Sequence, residues 1–156
     1  MIGSGPADYP APVTRYVSID AADAALPELA VVLEQLRAQR AELLRLRDLV
    51  AAGDGLPSAA SAAAGSSSSG EGSVADAAAV RLRMSGIIDR MQAGALRIEV
   101  LGASLRDIES GLIDFPALVS GRPVWLCWRL GEAHRIAWWH DHETGFAGRR
   151  PLAELA

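Results

Sequence analysis

The chain has no lysine; all 15 of its basic side chains are arginine. Beside so much alanine this reads as a composition bias, and any single arginine carries little weight. A basic excess is missing too, because 19 acidic residues leave a net charge of -4 at pH 7. A nucleic-acid binder needs spare cations to displace the counterions around phosphates, so no nucleic-acid partner is expected. The one cysteine, Cys127, excludes an internal disulfide framework and any paired-cysteine metal or redox motif. No apolar run approaches the ~20 residues of a spanning helix, so no membrane segment is expected. The start, MIGSGPADYPAP, lacks the cationic end and apolar stretch of a secretory signal. These absences together predict a cytoplasmic protein.

Aromatic side chains are scarce at 5% and unevenly spread. All four tryptophans (Trp125, Trp128, Trp138, Trp139), both phenylalanines, all three histidines and the cysteine fall between Gly111 and Pro151. The remainder is mostly alanine, leucine, arginine and small residues, which build helices but little chemistry. Any specific site is expected in the aromatic stretch.

A length of 156 residues predicts one domain. Residues 1–14, with three prolines, read as a flexible arm. Residues 15–52 read as a short strand at Arg15–Val17 followed by a helix capped by Ser18 or Asp20. Pro27 is either tolerated early in that helix or divides a first turn from the rest. Leu29, Val32, Leu36, Gln39, Leu43, Leu46 and Val50 recur at steps of three and four, the seam of a coiled-coil-like helix. The Gly/Ser/Ala stretch 53–73 cannot bury enough apolar surface to offset its ordering entropy and reads as a linker. Ser73 and Asp76 resemble a capping box for a second helix over 74–101. Its own seam is Ala77, Val80, Met84, Ile87, Met91, Gly94 and Ile98.

Matching seams predict an antiparallel helical hairpin. Each helix also carries apolar residues on its flanks: Leu33, Leu44 and Leu49 on the first, Leu82, Ile88 and Leu96 on the second. The simple cover for them is the C-terminal unit. The sharper one is a homodimer that pairs helices 28–52 and 74–101 into a four-helix bundle.

Residues 102–156 form the C-terminal unit, in which three strands are expected at 112–118, 123–130 and 135–140. Ser120-Gly121 and Gly131-Glu132 mark the turns. Pro116 should confine the first strand to an edge or end it early. The fold class is therefore α+β: a long antiparallel helical hairpin followed by a small antiparallel β-sheet. Along the middle strand, Val124, Leu126, Trp128 and Leu130 face one way and need apolar cover. Trp125, Cys127 and Arg129 face the other way, where a groove can form.

Several chemistries compete for these residues. His140 and His142, two apart, point the same way in an extended chain, a spacing metal sites use. Glu132, His134, Asp141, Glu143 and Asp114 add hard ligands and Cys127 a soft one. Cys127 with His140 and Asp114 or Asp141 has the residue types of a nucleophile, base and orienting acid. A lone cysteine in an apolar strand is more simply a small buried hydrophobe. Asp114 and Glu132 can be a carboxylate pair for acid–base work, although an arginine partner for Asp114, such as Arg129, is the plainer reading. The tryptophans can cage a flat or cationic ligand or simply fill a small core. Arg149-Arg150 beside two glycines can hold an anion.

The strings GLIDFP at Gly111–Pro116, LCWRLGE at Leu126–Glu132, Trp139-His140 and GFAGR at Gly145–Arg149 are long and unusual. With the Asp20-Ala-Ala-Asp and Leu26-Pro27 lead-in of the first helix, they resemble a bacterial family known as domain of unknown function 2203. The resemblance spans the chain apart from the arm and the linker. It implies no particular activity. It selects Asp114, Cys127, Arg129, Glu132, Trp139, His140 and Arg149, and leaves out His134 and His142.

The expected function is a non-enzymatic interaction or ligand-binding module that assembles through its hairpin, with a protein or small-molecule partner. Its ligand-binding candidates are Asp114, Cys127, Arg129, Trp139 and Arg149. The alternative is a protein that binds a divalent metal through His140, Glu132 and His142, with Cys127 or Asp114 nearby.

Overall fold

The computed structural model describes residues 14–54 and 69–155, and their side chains over 14–53 and 74–155. The expected arm at 1–14, apart from Thr14, and the central part of the expected linker lie outside the described residues. Helix α1 runs Ile19–Asp54 and helix α2 runs Ser69–Val100. Both therefore extend into the stretch read as linker. Ser73 sits inside α2, so it cannot begin the helix as a capping-box residue. No helix among the described residues is long and apolar enough to cross a membrane.

Ser18 begins α1, its hydroxyl accepting the N–H of Ala21 at 3.1 Å, which satisfies one orphan donor of the first turn. Residues Arg15–Val17 are not a strand. A single contact replaces the expected ladder: the Val17 N–H donates to the Pro116 carbonyl at 2.7 Å. The helix continues unbroken through Pro27, whose side is exposed. At the far end of α2 the chain turns on Gly102, at φ 87°, with Gly102 N–H bonded to Glu99 O and Ala103 N–H to Ile98 O. That double bond pattern is the Schellman cap, and its apolar partners Ile98 and Ala103 are both buried.

The two seams meet. Every seam residue read from the sequence in α1 and α2 is buried or half-buried. Arg97–Glu28 at 2.5 Å and Arg83–Glu42 at 2.6 Å tie the helices together along their length.

Five strands follow: β1 Ser104–Asp107, β2 Leu112–Val119, β3 Arg122–Arg129, β4 Trp138–His140 and β5 Arg150–Pro151. They form one sheet in sequential order, each pair antiparallel. Two strands beyond the expected three, β1 and β5, lie at the edges, and β4 is shorter than expected. Ser120 and Gly121 both take positive φ, 52° and 76°, the two-residue turn whose twist matches a hairpin.

Pro116 neither ends β2 nor places it at the sheet edge, since β2 lies between β1 and β3. It pairs with Trp125 on β3. Its carbonyl faces Val17, so its nitrogen also points away from β3, and β1 has already ended there. The missing N–H therefore costs no ladder bond.

Ile113, Phe115, Ala117, Val124, Leu126, Trp128 and Trp139 on the inner face of the sheet join Leu26, Leu29, Leu33, Leu36 and Ile98 of the helices in one core. Ile136 closes it. Its N–H donates to Asp23 Oδ1 of α1 at 2.6 Å, which pins the β3–β4 connection to the helix.

Candidate functional site

Alternation sends the second set of β2 and β3 side chains to the outer face. The register pairs Asp114 with Cys127, Cys127 with Trp138 and Trp125 with His140. Asp114, Cys127 and His140 therefore come from three adjacent strands onto one small area. One potential ligand atom from each lies within 4.8 Å of the others. All three are buried: Asp114 is 4% exposed, His140 3% and Cys127 0%.

His140 Nδ1 lies 2.7 Å from the Asp141 carbonyl and Nε2 lies 3.1 Å from Asp114 Oδ2. A carbonyl only accepts, so Nδ1 carries a proton. Arg106 on β1 donates to the same Asp114 Oδ2, through Nε at 2.9 Å. Asp114 Oδ1 is buried without a hydrogen-bond partner. Burial first, and the neighbouring Asp114 charge second, push the Cys127 thiol up to about 12. A thiol held protonated at neutral pH is a poor nucleophile, so the cluster offers no thiolate of its own there.

Around this cluster the aromatic rings are capped by arginines. Arg106 lies over Trp125 at 4.6 Å, and Arg149 lies over Trp138 at 4.6 Å and Phe146 at 4.3 Å. The faces on which a cationic ligand would stack are thus covered by this chain's own guanidinium groups. The other two tryptophans are core. Trp128 donates to the Ala133 carbonyl at 2.8 Å and Trp139 to the Pro151 carbonyl at 3.2 Å. Trp139 therefore belongs to the inner face, away from the ligand candidates with which the sequence grouped it.

Glu132 and His142 also fall outside the cluster. Glu132 pairs with Arg149 at 2.7 Å and accepts the Arg129 N–H at 3.0 Å, an arrangement that closes the turn after β3. His142 accepts the indole N–H of Trp125 at 3.1 Å, because β4 ends at His140 and the strand alternation that would align the two histidines ends with it. The expected pairing of Asp114 with Arg129 is replaced by Arg106; Arg129 is exposed, over Phe146 at 5.4 Å. Arg150 does not gather an anion with Arg149. It joins Arg122 on Asp141, at 2.6 and 2.5 Å.

The contacts of Arg106 with Asp114 and of Asp23 with Ile136 were missed by sequence reading. Arg106 sits in no motif, and an arginine in an arginine-rich chain carries no signal of its own; Asp23 closes the Asp20-Ala-Ala-Asp lead-in, but nothing local ties it to a residue 113 positions away.

No curated protein and no solved structure matches the chain. A family model does match, over residues 15–152, and the chain belongs to that family, described as "Uncharacterized conserved protein (DUF2203)".

Proposed function

We propose that the protein is a non-enzymatic interaction module that assembles as a homodimer through the outer face of α2. The observation that carries this is a second apolar stripe on that helix. Its seam faces α1, yet Val74, Leu82, Ile88, Leu96 and Val100 are exposed, Leu82 at 77% and Val74 at 71%. At 3.6 residues per turn these five lie within an arc of about 120°, centred about 130° round the helix from the seam. A helix apolar on two faces fits a bundle with helices on both sides. The sheet does not cover this stripe; it packs on the same core as Leu26, Leu29, Leu33 and Leu36 of α1 and Ile98 of α2. Pairing two hairpins through α2 forms a four-helix bundle and removes the stripe from water, at about 25 cal/mol per Å² of apolar area.

Light scattering on the full chain over a range of concentrations tests this, beside the double variant Leu82→Glu/Leu96→Glu. The expected result is a dimer for the parent and a monomer with unchanged helical circular dichroism for the variant. A monomeric parent at high micromolar concentration, or a dimer indifferent to both charges, overturns the reading.

A further inference from the structure

The buried cluster on the outer face of the sheet is independent of how the hairpins assemble. We propose that Asp114, Cys127 and His140 form a zinc-binding site spanning β2, β3 and β4. The ligand atoms already lie within 4.8 Å of one another, and His140 Nε2 and Asp114 Oδ2 are 3.1 Å apart. Bonds of about 2.0–2.3 Å around tetrahedral zinc place ligand atoms roughly 3.3–3.8 Å apart.

Each residue shows a feature that an ion would complete. The Asp141 carbonyl takes the Nδ1 proton of His140 at 2.7 Å, so in the neutral ring the lone pair sits on Nε2, facing Asp114. Metal-ligating histidines are held in this way by a second partner on the far nitrogen. A lone pair facing a carboxylate oxygen at 3.1 Å is repulsive unless a positive species, a proton or a metal ion, serves both.

Asp114 supplies the second feature. Arg106 and His140 both fall on Oδ2. Oδ1 is left without a partner in a residue 4% exposed, a buried acceptor whose desolvation is uncompensated. Cys127 supplies the third: its thiol is fully buried on the strand between those of Asp114 and His140, and a metal ion bound there takes it as thiolate. Binding then balances as zinc plus thiol giving zinc thiolate plus one proton released to solvent.

Sulfur, imidazole and carboxylate together suit zinc rather than magnesium or calcium, which prefer all-oxygen sites. Three protein ligands leave a fourth position for water. Little solvent reaches the three residues, whose neighbours Trp125 and Trp138 lie beneath Arg106 and Arg149. That enclosure fits a structural or regulatory ion better than a catalytic one.

The test uses the full chain, untagged and stripped with chelator, titrated with zinc and separately with cobalt(II), then dialysed and analysed by plasma mass spectrometry. One equivalent of metal is expected, with the near-ultraviolet charge-transfer absorption of a cobalt thiolate. Cys127→Ser, nearly isosteric and so expected to fold, should abolish that absorption, and Asp114→Asn should weaken zinc binding at least tenfold. Glu132→Gln and His142→Ala, outside the cluster, should leave both unchanged. Circular dichroism of every variant separates loss of a ligand from loss of the fold. No metal on folded parent protein, binding indifferent to Cys127→Ser, or binding lost with His142→Ala overturns the proposal. None of these outcomes bears on the dimer measured by light scattering.

Discussion

The two faces of the sheet are made from the same strands and do opposite things. On the inner face Ile113, Phe115, Leu126, Trp128 and Trp139 meet the helices in a continuous apolar core. On the outer face Asp114, Cys127 and His140 are buried almost as deeply, but among arginines and tryptophans instead of helices. Apolar burial on the inner face needs only the right size and shape. Polar burial on the outer face needs each donor and acceptor placed, because an unpaired buried group costs about 1–3 kcal/mol. The chain meets that demand with arginines whose guanidinium groups lie over aromatic rings while pairing with carboxylates: Arg106 on Asp114, Arg149 on Glu132. One atom of the central cluster, Asp114 Oδ1, is left over.

The comparison is broken most severely from the inside. Phe115→Ala should destabilise by about 3–5 kcal/mol, since it opens a cavity in a core that cannot fully collapse around it. Thermal and denaturant melts would show this, and a loss under about 1 kcal/mol would mean that the inner face is not the main core. Leu82→Ala, on the exposed stripe of α2, should change the stability of the isolated chain by no more than about 0.5 kcal/mol.

Next in size is the response of the outer face to alkali. The folded protein holds the Cys127 proton up to about 12, against an ordinary value of 9.0. Between these values the unfolded chain loses its proton first, so stability is whole below about 9 and falls as pH rises toward 12. The slope is at most about 1.4 kcal/mol per pH unit. Melting temperatures of metal-stripped protein from pH 8 to 11 should drop, and Cys127→Ala should flatten the drop. Equal slopes in the two proteins would show that this thiol is not held in its neutral form.

A small effect also belongs at the rim. Glu132→Gln loses the charge facing Arg149 but keeps an acceptor for the Arg129 N–H, so a cost of about 1 kcal/mol or less is expected. A larger loss would extend the tightly constrained network from the cluster to the turn after β3.

Patterns of fixed period were legible in the sequence. The seams of α1 and α2 turned inward as their spacing of three and four required. The β3 alternation assigned Val124, Leu126 and Trp128 to the core face, and Ser120-Gly121 made the tight turn between β2 and β3. Helix ends were less legible. Alanine favours a helix while serine and glycine disfavour it, so a stretch that mixes all three has no sharp boundary in its pattern, and α1 and α2 both run past the expected boundaries. Pro116 was misjudged because a proline's tolerance in a strand depends on which side its nitrogen faces, and only the pairing sets that.

The site was legible as a list of residues but not as an arrangement. Sequence reading named Asp114, Cys127 and His140 alongside Glu132, His142, Arg129, Trp139 and Arg149, and apart from the resemblance leaving out His142 it gave no ground for separating them. What divides them is the register that puts Cys127 opposite both Asp114 and Trp138, and Trp125 opposite His140. A slip of one residue would send every side chain of a strand to the other face. The sequence by itself determined the two helices, the β2–β3 hairpin and their apolar faces, because hydrophobic period is a local property of consecutive residues. Only the tertiary structure decided that an aspartate, a cysteine and a histidine up to 26 residues apart share one buried point. Strand register, a β1 edge bringing Arg106 and the end of β4 at His140 are relations between segments, and no single segment encodes them.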